Sequence, residues 1–114
     1  MDYALVFKWV RAWPGREAKA LENLADVRMF FGKLAAEGRV EEPLILMHVN
    51  DGMMIVKGEM STIFEIMNLE EFILLTDKPL LTCEGFSFHM YGTGERIEHQ
   101  LELYSKAGKE LAYF

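Results

Sequence analysis

A single cysteine, Cys83, occurs in the 114 residues, so no disulfide can close within the chain and the expectation is a reducing compartment. No apolar run approaches the roughly 20 residues that a membrane-spanning helix needs. The chain passes from Met1-Asp2 into a strand pattern without a signal peptide, which makes the cytoplasm the expected location. Positive charge is also scarce: 12 Lys and Arg face 18 Asp and Glu, for a net charge of -6. The cations are scattered rather than gathered into a stripe, so the field repels a phosphate backbone and nucleic acid is not expected as a partner. There are only three histidines, and no His, Cys or carboxylate spacing marks a metal site. The glycines form no phosphate-cradling loop, and no cofactor is expected. The adjacent pairs Glu41-Glu42 and Glu70-Glu71 read as solvated surface, because neighbouring residues on a helix point about 100° apart.

What the chain has in excess is apolar character, 51% of residues. That is more than a domain of this size hides easily, and it points to a subunit interface or a ligand cavity. Tyr3 to Val10 alternates bulky Tyr3, Leu5, Phe7 and Trp9 with Ala4, Val6, Lys8 and Val10, the pattern of a central strand with two mostly apolar faces. Pro14-Gly15 ends it. From Arg16 to Glu37 the period changes to three and four, through Ala20, Leu24, Val27, Phe31 and Leu34, predicting an amphipathic helix with Gly38 as its left-handed cap. Leu44–Val49 and Met53–Lys57 flank Asn50-Asp51-Gly52, a hairpin signal. Thr62 to Glu65 matches a capping box and predicts a second helix running to about Leu75, broken by Asp77-Lys78-Pro79. Gly85–Tyr91 alternates as a fourth strand. After Thr93-Gly94, Ile97, Leu101, Tyr104 and Leu111 recur at helical intervals, with Gly108 weakening the end. The terminal Leu111, Tyr113 and Phe114 are expected to dock.

Strand, helix, hairpin, helix, strand is the βαββαβ order of an α+β ferredoxin-like fold, with a four-stranded antiparallel sheet in the order 4-1-3-2. The expected division is a domain over 1–94 and a C-terminal helical appendage over 95–114. The layout resembles the dimeric α/β-barrel superfamily. Within it, Leu34 to Val40, the Asp51-Gly52 hairpin, Thr62 to Glu65 and Asp77 resemble the YciI-like branch. That resemblance implies a homodimer whose uncovered sheet faces meet, with small-molecule pockets between sheet and helices. The branch carries a His on its first helix and an Asp-Pro pair after the second. Here the first helix has no His and the second element reads Asp77-Lys78-Pro79, so only Asp77 carries over. Trp9, Asn23, His48 and His89 do not have the spacing of a haem-degrading set.

If Asp51-Gly52 forms a two-residue turn, Asn50 pairs with Met53, His48 with Ile55 and Leu46 with Lys57, which places His48 and Lys57 on one side of the hairpin. A three-residue turn separates them. Lys8 and the group Ser87, His89 and Tyr91 occupy the less apolar sides of neighbouring strands. Lys8, Lys57, His48, His89 and Tyr91 would then line one space suited to a carboxylate, phenolate or enolate, with His48 or His89 as acid–base and Lys8 or Lys57 holding an oxyanion. The plainer reading is that they rim a subunit interface. Arg28, at the edge of the first helix's buried stripe, is a further anion-binding candidate. Met47, Met53, Met54 and Met90 suit either a core or an adaptable pocket. Three functions follow: a homodimer binding a small, partly hydrophobic or anionic molecule; a small-molecule isomerase, lyase or cofactor-free oxygenase; and a protein-interaction module built on the C-terminal helix.

Overall fold

A computed structural model describes residues Met1–Phe114. In chain order the elements are β1 (Tyr3–Trp9), β2 (Arg11–Ala12), α1 (Glu17–Ala36), β3 (Leu44–Met47), β4 (Gly52–Gly58), α2 (Met60–Met67), α3 (Glu70–Thr82), β5 (Cys83–Glu84), β6 (Ser87–Gly92) and α4 (Glu95–Glu110). The alternation in β1 divides its side chains. Tyr3, Leu5 and Phe7 are buried on one face, while Lys8 on the other is exposed. β1 lies between β4 and β6, antiparallel to both, and β3 pairs outside β4. The order β3-β4-β1-β6 is the expected 4-1-3-2 read from the opposite edge, and the fold is ferredoxin-like.

Leu5, Phe7, Met54 and Val56 form the sheet's contribution to the core, packed against Phe31 of α1, Ile63 and Ile66 of α2 and Phe72 of α3. Phe7 is its centre, with ring centroids 5.8 Å from Phe31, 5.8 Å from Phe88 and 6.3 Å from Phe72. Such tilted aromatic contacts add about 0.5–1.5 kcal/mol each to the area they bury. Gly38 adopts φ 74°, and the amides of Gly38 and Arg39 cap α1 by bonding Ala35 and Leu34 carbonyls at 3.0 and 2.9 Å, as the sequence predicts.

Three local expectations are corrected. The hairpin turn spans four residues, 48–51, and Met47 pairs with Gly52, Leu46 with Met53 and Leu44 with Ile55. His48 closes it, its amide bonding the Asp51 carbonyl at 2.9 Å and its Nδ1 lying 3.1 Å from Asp51 Oδ1. Gly52 is therefore a strand residue rather than a turn residue. The helical region breaks at Asn68-Leu69 instead of at 77–79. Leu69 is extended, with ψ 135°, and the Asn68 amide group donates to the Phe64 carbonyl at 2.8 Å, holding the end of α2. Pro79 sits inside α3, buried beside a cavity between sheet and helices, where its ring removes one backbone hydrogen bond without ending the helix. Thr62 is likewise inside α2, whose N-terminal residue Glu59 makes no side-chain cap.

The ribbon of β2 and β5 has no clear sequence signal. Arg11 Nε donates to Glu84 Oε2 at 2.6 Å, and that hydrogen bond and charge raise the guanidinium pKa above its ordinary value. The Trp13 amide bonds Thr82 carbonyl at 2.9 Å, and Arg16 donates to the Leu81 carbonyl. Together these contacts hold the segment entering α1 against the end of α3.

α4 leaves the domain. Its root is fixed where the Thr93 amide bonds the Asp2 carbonyl at 2.8 Å and where Arg96 lies over the Tyr3 ring, 5.2 Å from its centroid, with Nε 2.6 Å from the hydroxyl. Phe114 turns back over Gly108 and approaches Tyr104, ring centroids 5.9 Å apart. Leu111, Tyr113 and Phe114 nevertheless stay exposed, so the tail docks on its own helix and not on the domain.

Candidate functional site

Between the sheet and helices α1 and α3, at the hairpin end of the sheet, lies a cavity of about 240 Å³. Its apolar wall comes from Phe7 and Trp9 of β1, Met54 of β4, Val27 of α1, Leu75 of α3 and Phe86. Each position follows from periodicity: Phe7, Trp9 and Met54 are on the helix-facing side of their strands, and Val27 is on the buried stripe of α1. The hairpin turn contributes Val49 and Asn50 to the rim, and β2 and β5 contribute Ala12 and Cys83. Cys83 is partly buried, and its Sγ lies 3.8 Å from Thr82 Oγ1.

Polar groups in the lining are few. Glu17, exposed in the first turn of α1, stands at the mouth. The Thr76 hydroxyl is engaged by the Phe72 and Ile73 carbonyls of its own helix, both at 3.1 Å. Asn23 is 9% exposed. Its Nδ2 donates to Thr82 Oγ1 at 3.0 Å, while Thr82 donates to the Lys78 carbonyl at 3.2 Å. Asn23 Oδ1 accepts no hydrogen bond from the chain, which leaves a carbonyl oxygen ready for a ligand donor. No Lys, Arg or His lines the cavity.

The titratable residues singled out from the sequence lie elsewhere. The pairings place three rows on the opposite, open face of the sheet: Leu46–Met53–Lys8–Ser87, Leu44–Ile55–Val6–His89, and Lys57–Ala4–Tyr91. Lys8, Lys57, His89 and Tyr91 thus share a face, with His89 and Tyr91 ring centroids 6.4 Å apart. Lys8 and Lys57 are two rows apart, about 13 Å along the strand. His48 is not in these rows, because the four-residue turn carries it past the end of β3. It meets Lys8 and Ser87 only around a wide groove of about 850 Å³, and its own contact is Asp51. Asp77 is exposed on α3. Arg28 borders a shallow depression with Glu42 and Pro43 and does not reach over the sheet. The expected convergence of His48 with Lys57 is therefore corrected: the register sets them at opposite ends of β4.

Trp9 and Asn23 are the informative residues of the cavity, and both carried a signal. Trp9 shares the parity of Leu5 and Phe7. Asn23 falls four residues before Val27 on the buried stripe, a polar side chain where the pattern calls for an apolar one.

No protein-family model matches the sequence, and no curated protein matches it at a significant level. Solved structures do. A Pseudomonas aeruginosa protein of known crystal structure aligns with TM-score 0.59 and 16% identity, covering 82% of this chain and 94% of its own. A dimeric protein of unknown function and ferredoxin-like fold from Bacteroides fragilis aligns with TM-score 0.52 and 10% identity, covering 80% and 96%. A Nitrosomonas europaea protein of unknown function aligns with TM-score 0.57 and 16% identity, covering 81% and 88%. The share of this chain left uncovered, 18–20%, matches the length of α4 and its tail. At these identities the likeness is one of fold, and the chain is an α+β protein with the ferredoxin-like fold those structures share.

Proposed function

We propose that this protein binds a small, largely apolar, uncharged molecule in the cavity between sheet and helices, and that it does so as a homodimer. The observation that carries the reading is the cavity itself: an aromatic and aliphatic wall broken by the buried Asn23 amide, which is held in place through Thr82. An apolar cavity of roughly 150 Å³ holds a benzene ring, so about 240 Å³ suits a one- or two-ring compound with one hydroxyl or amide hydrogen. A carboxylate or phenolate ligand is disfavoured there, since no cation lines the cavity to offset its desolvation. Neither His48 nor His89 lines this cavity, so the reading assigns them no role in it.

The open sheet face supports the dimer. Leu44 and Leu46 are exposed on it, beside Val6 and Ile55, and a second copy would remove them from water. The dimeric Bacteroides fragilis structure of the same fold adds weight.

Thermal shift and Trp9 fluorescence with 2-naphthol test the pocket. Saturation at tenfold the dissociation constant adds about 1.4 kcal/mol, a rise of roughly 6 °C for a domain with an unfolding entropy near 0.24 kcal/mol/K. Ala20→Phe, which places a ring in the cavity from α1, is expected to weaken binding at least tenfold while leaving the fold intact. If 2-naphthol and a panel of one- and two-ring compounds produce no shift in the wild-type protein, the cavity is not a binding site.

A further inference from the structure

The C-terminal helix has no seat in its own chain. Beyond Arg96 and Gln100, which lie against Tyr3 and Gly92, every side chain of α4 is exposed except the half-buried Ser105, and only Gly108, covered by Phe114, is buried. Sixteen residues with an internal glycine make a marginal helix in water, and such helices owe their stability to packing an apolar face. α4 has that face. Ile97, Leu101, Tyr104, Gly108 and Leu111 follow spacings of four, three, four and three, which keep one seam aligned along the helix. Phe114 lays its ring over Gly108, filling the gap a glycine would leave. Ile97, Leu101, Tyr104, Leu111 and Phe114 are 46%, 61%, 69%, 63% and 69% exposed.

We infer that α4 is an arm exchanged between subunits, its apolar seam seated on the open sheet face of a second copy of this chain. The inference rests on the homodimer proposed above and specifies what holds it together. Area is the first argument. Large side chains each offer on the order of 200 Å², so the five exposed residues present about 600 Å², most of the roughly 800 Å² that each partner contributes to a stable interface. Charge is the second. The outward residues of the sheet include Lys8, Lys57 and His89 and no carboxylate, whereas Glu98 flanks the seam of α4 and the one cation of that half-helix, Arg96, is already engaged by Tyr3. Opposite fields of this kind favour encounter and fix orientation. Direction is the third. Tyr3 is on the helix-facing side of β1, so the Arg96–Tyr3 contact roots α4 away from its own open face, and only another molecule's face is available to the seam. The Thr93-Gly94 turn, with Gly94 at φ 58°, sets that departure.

The test uses the full-length chain. Sedimentation velocity at micromolar concentration should give about twice 13.2 kDa for the wild type and the monomer mass for the Leu101→Glu, Tyr104→Glu double variant, with unchanged far-ultraviolet circular dichroism and dimer affinity lowered at least a hundredfold. Carbodiimide cross-linking of mixed unlabelled and isotope-labelled wild-type chains provides an arm independent of any variant's folding. It should give mixed-isotope links between Lys8 or Lys57 and Glu98. A monomeric wild type removes the homodimer reading as well as the arm. A dimer that persists in the double variant, a cross-linked dimer with no mixed-isotope link from Lys8 or Lys57 to Glu98, or links joining Glu102 to the other copy's Lys106 each overturn the arm while leaving the dimer in place.

Discussion

Gly52→Ala is a one-carbon substitution with a calculable consequence. Gly52 opens β4 directly opposite Trp9, and the indole lies across it: a Cβ there would meet Trp9 Cζ2 at 2.6 Å and the Leu46 carbonyl oxygen at 2.8 Å. An aromatic ring covering a strand glycine shields backbone that would otherwise be wet. The added methyl must push aside both the indole and the β3 backbone. Overpacking of this kind costs about 1–3 kcal/mol. With roughly 2.1 cal/mol/K of unfolding entropy per residue, 114 residues give about 0.24 kcal/mol/K, so the midpoint should fall by about 4–12 °C in a thermal melt followed by circular dichroism. Because the indole also forms the cavity wall, 2-naphthol affinity should drop in the same variant. In a Trp9→Leu background the ring clash vanishes and the carbonyl contact remains, so Gly52→Ala should cost about half as much, a coupling within reach of a double-mutant cycle. A midpoint change under about 2 °C, or an equal cost in both backgrounds, refutes the packing argument.

Phe7→Ala removes the hub of the aromatic cluster and should cost about 3–5 kcal/mol, lowering the melting midpoint by roughly 12–20 °C. His48→Ala, at a side chain 80% exposed, should leave stability within about 0.5 kcal/mol and 2-naphthol binding unchanged; loss of binding would return His48 to the site. Asn23→Leu should lower affinity for 2-naphthol more than for naphthalene, because only the hydroxylated compound can donate to Asn23 Oδ1, and equal losses would remove that role. Tyr3→Phe keeps the ring beneath Arg96 and loses the hydroxyl, whereas Arg96→Ala loses both, so amide hydrogen exchange at the start of α4 should accelerate more in Arg96→Ala.

The fold was readable because its signals are periodic and consecutive: the alternation of Tyr3, Leu5 and Phe7, the stripe through Val27, Phe31 and Leu34, and Gly38 after it. What was not readable depended on contacts distant in sequence. Asp51-Gly52 carries a turn signal, but the bond from His48 to Asp51 and the indole over Gly52 favour a four-residue turn, and that register alone removes His48 from Lys57. Pro79 reads as a breaker, yet it is buried within α3 at the wall of the cavity. The binding candidates drawn from charge and hydrogen-bonding type fell on the open face, because strand parity places Lys8, Lys57 and His89 there. The cavity, lined by residues of ordinary core type, has no compositional marker except Asn23.

The position of β1 between β4 and β6 has a consequence for the nascent chain. β1 is made first and can pair with β4 once Gly58 has been synthesised, but its other edge waits for residues 87–92. At about 5–20 residues per second, the 34 residues separating Gly58 from Gly92 take roughly 2–7 seconds. Throughout that interval the central strand, with Leu5 and Phe7 on one face, offers a row of unpaired amides and carbonyls to any extended segment nearby. Chaperone dependence and inclusion-body formation should therefore respond to the rate of translation between β4 and β6, with slow codons in that stretch lengthening the exposure and fast ones shortening it.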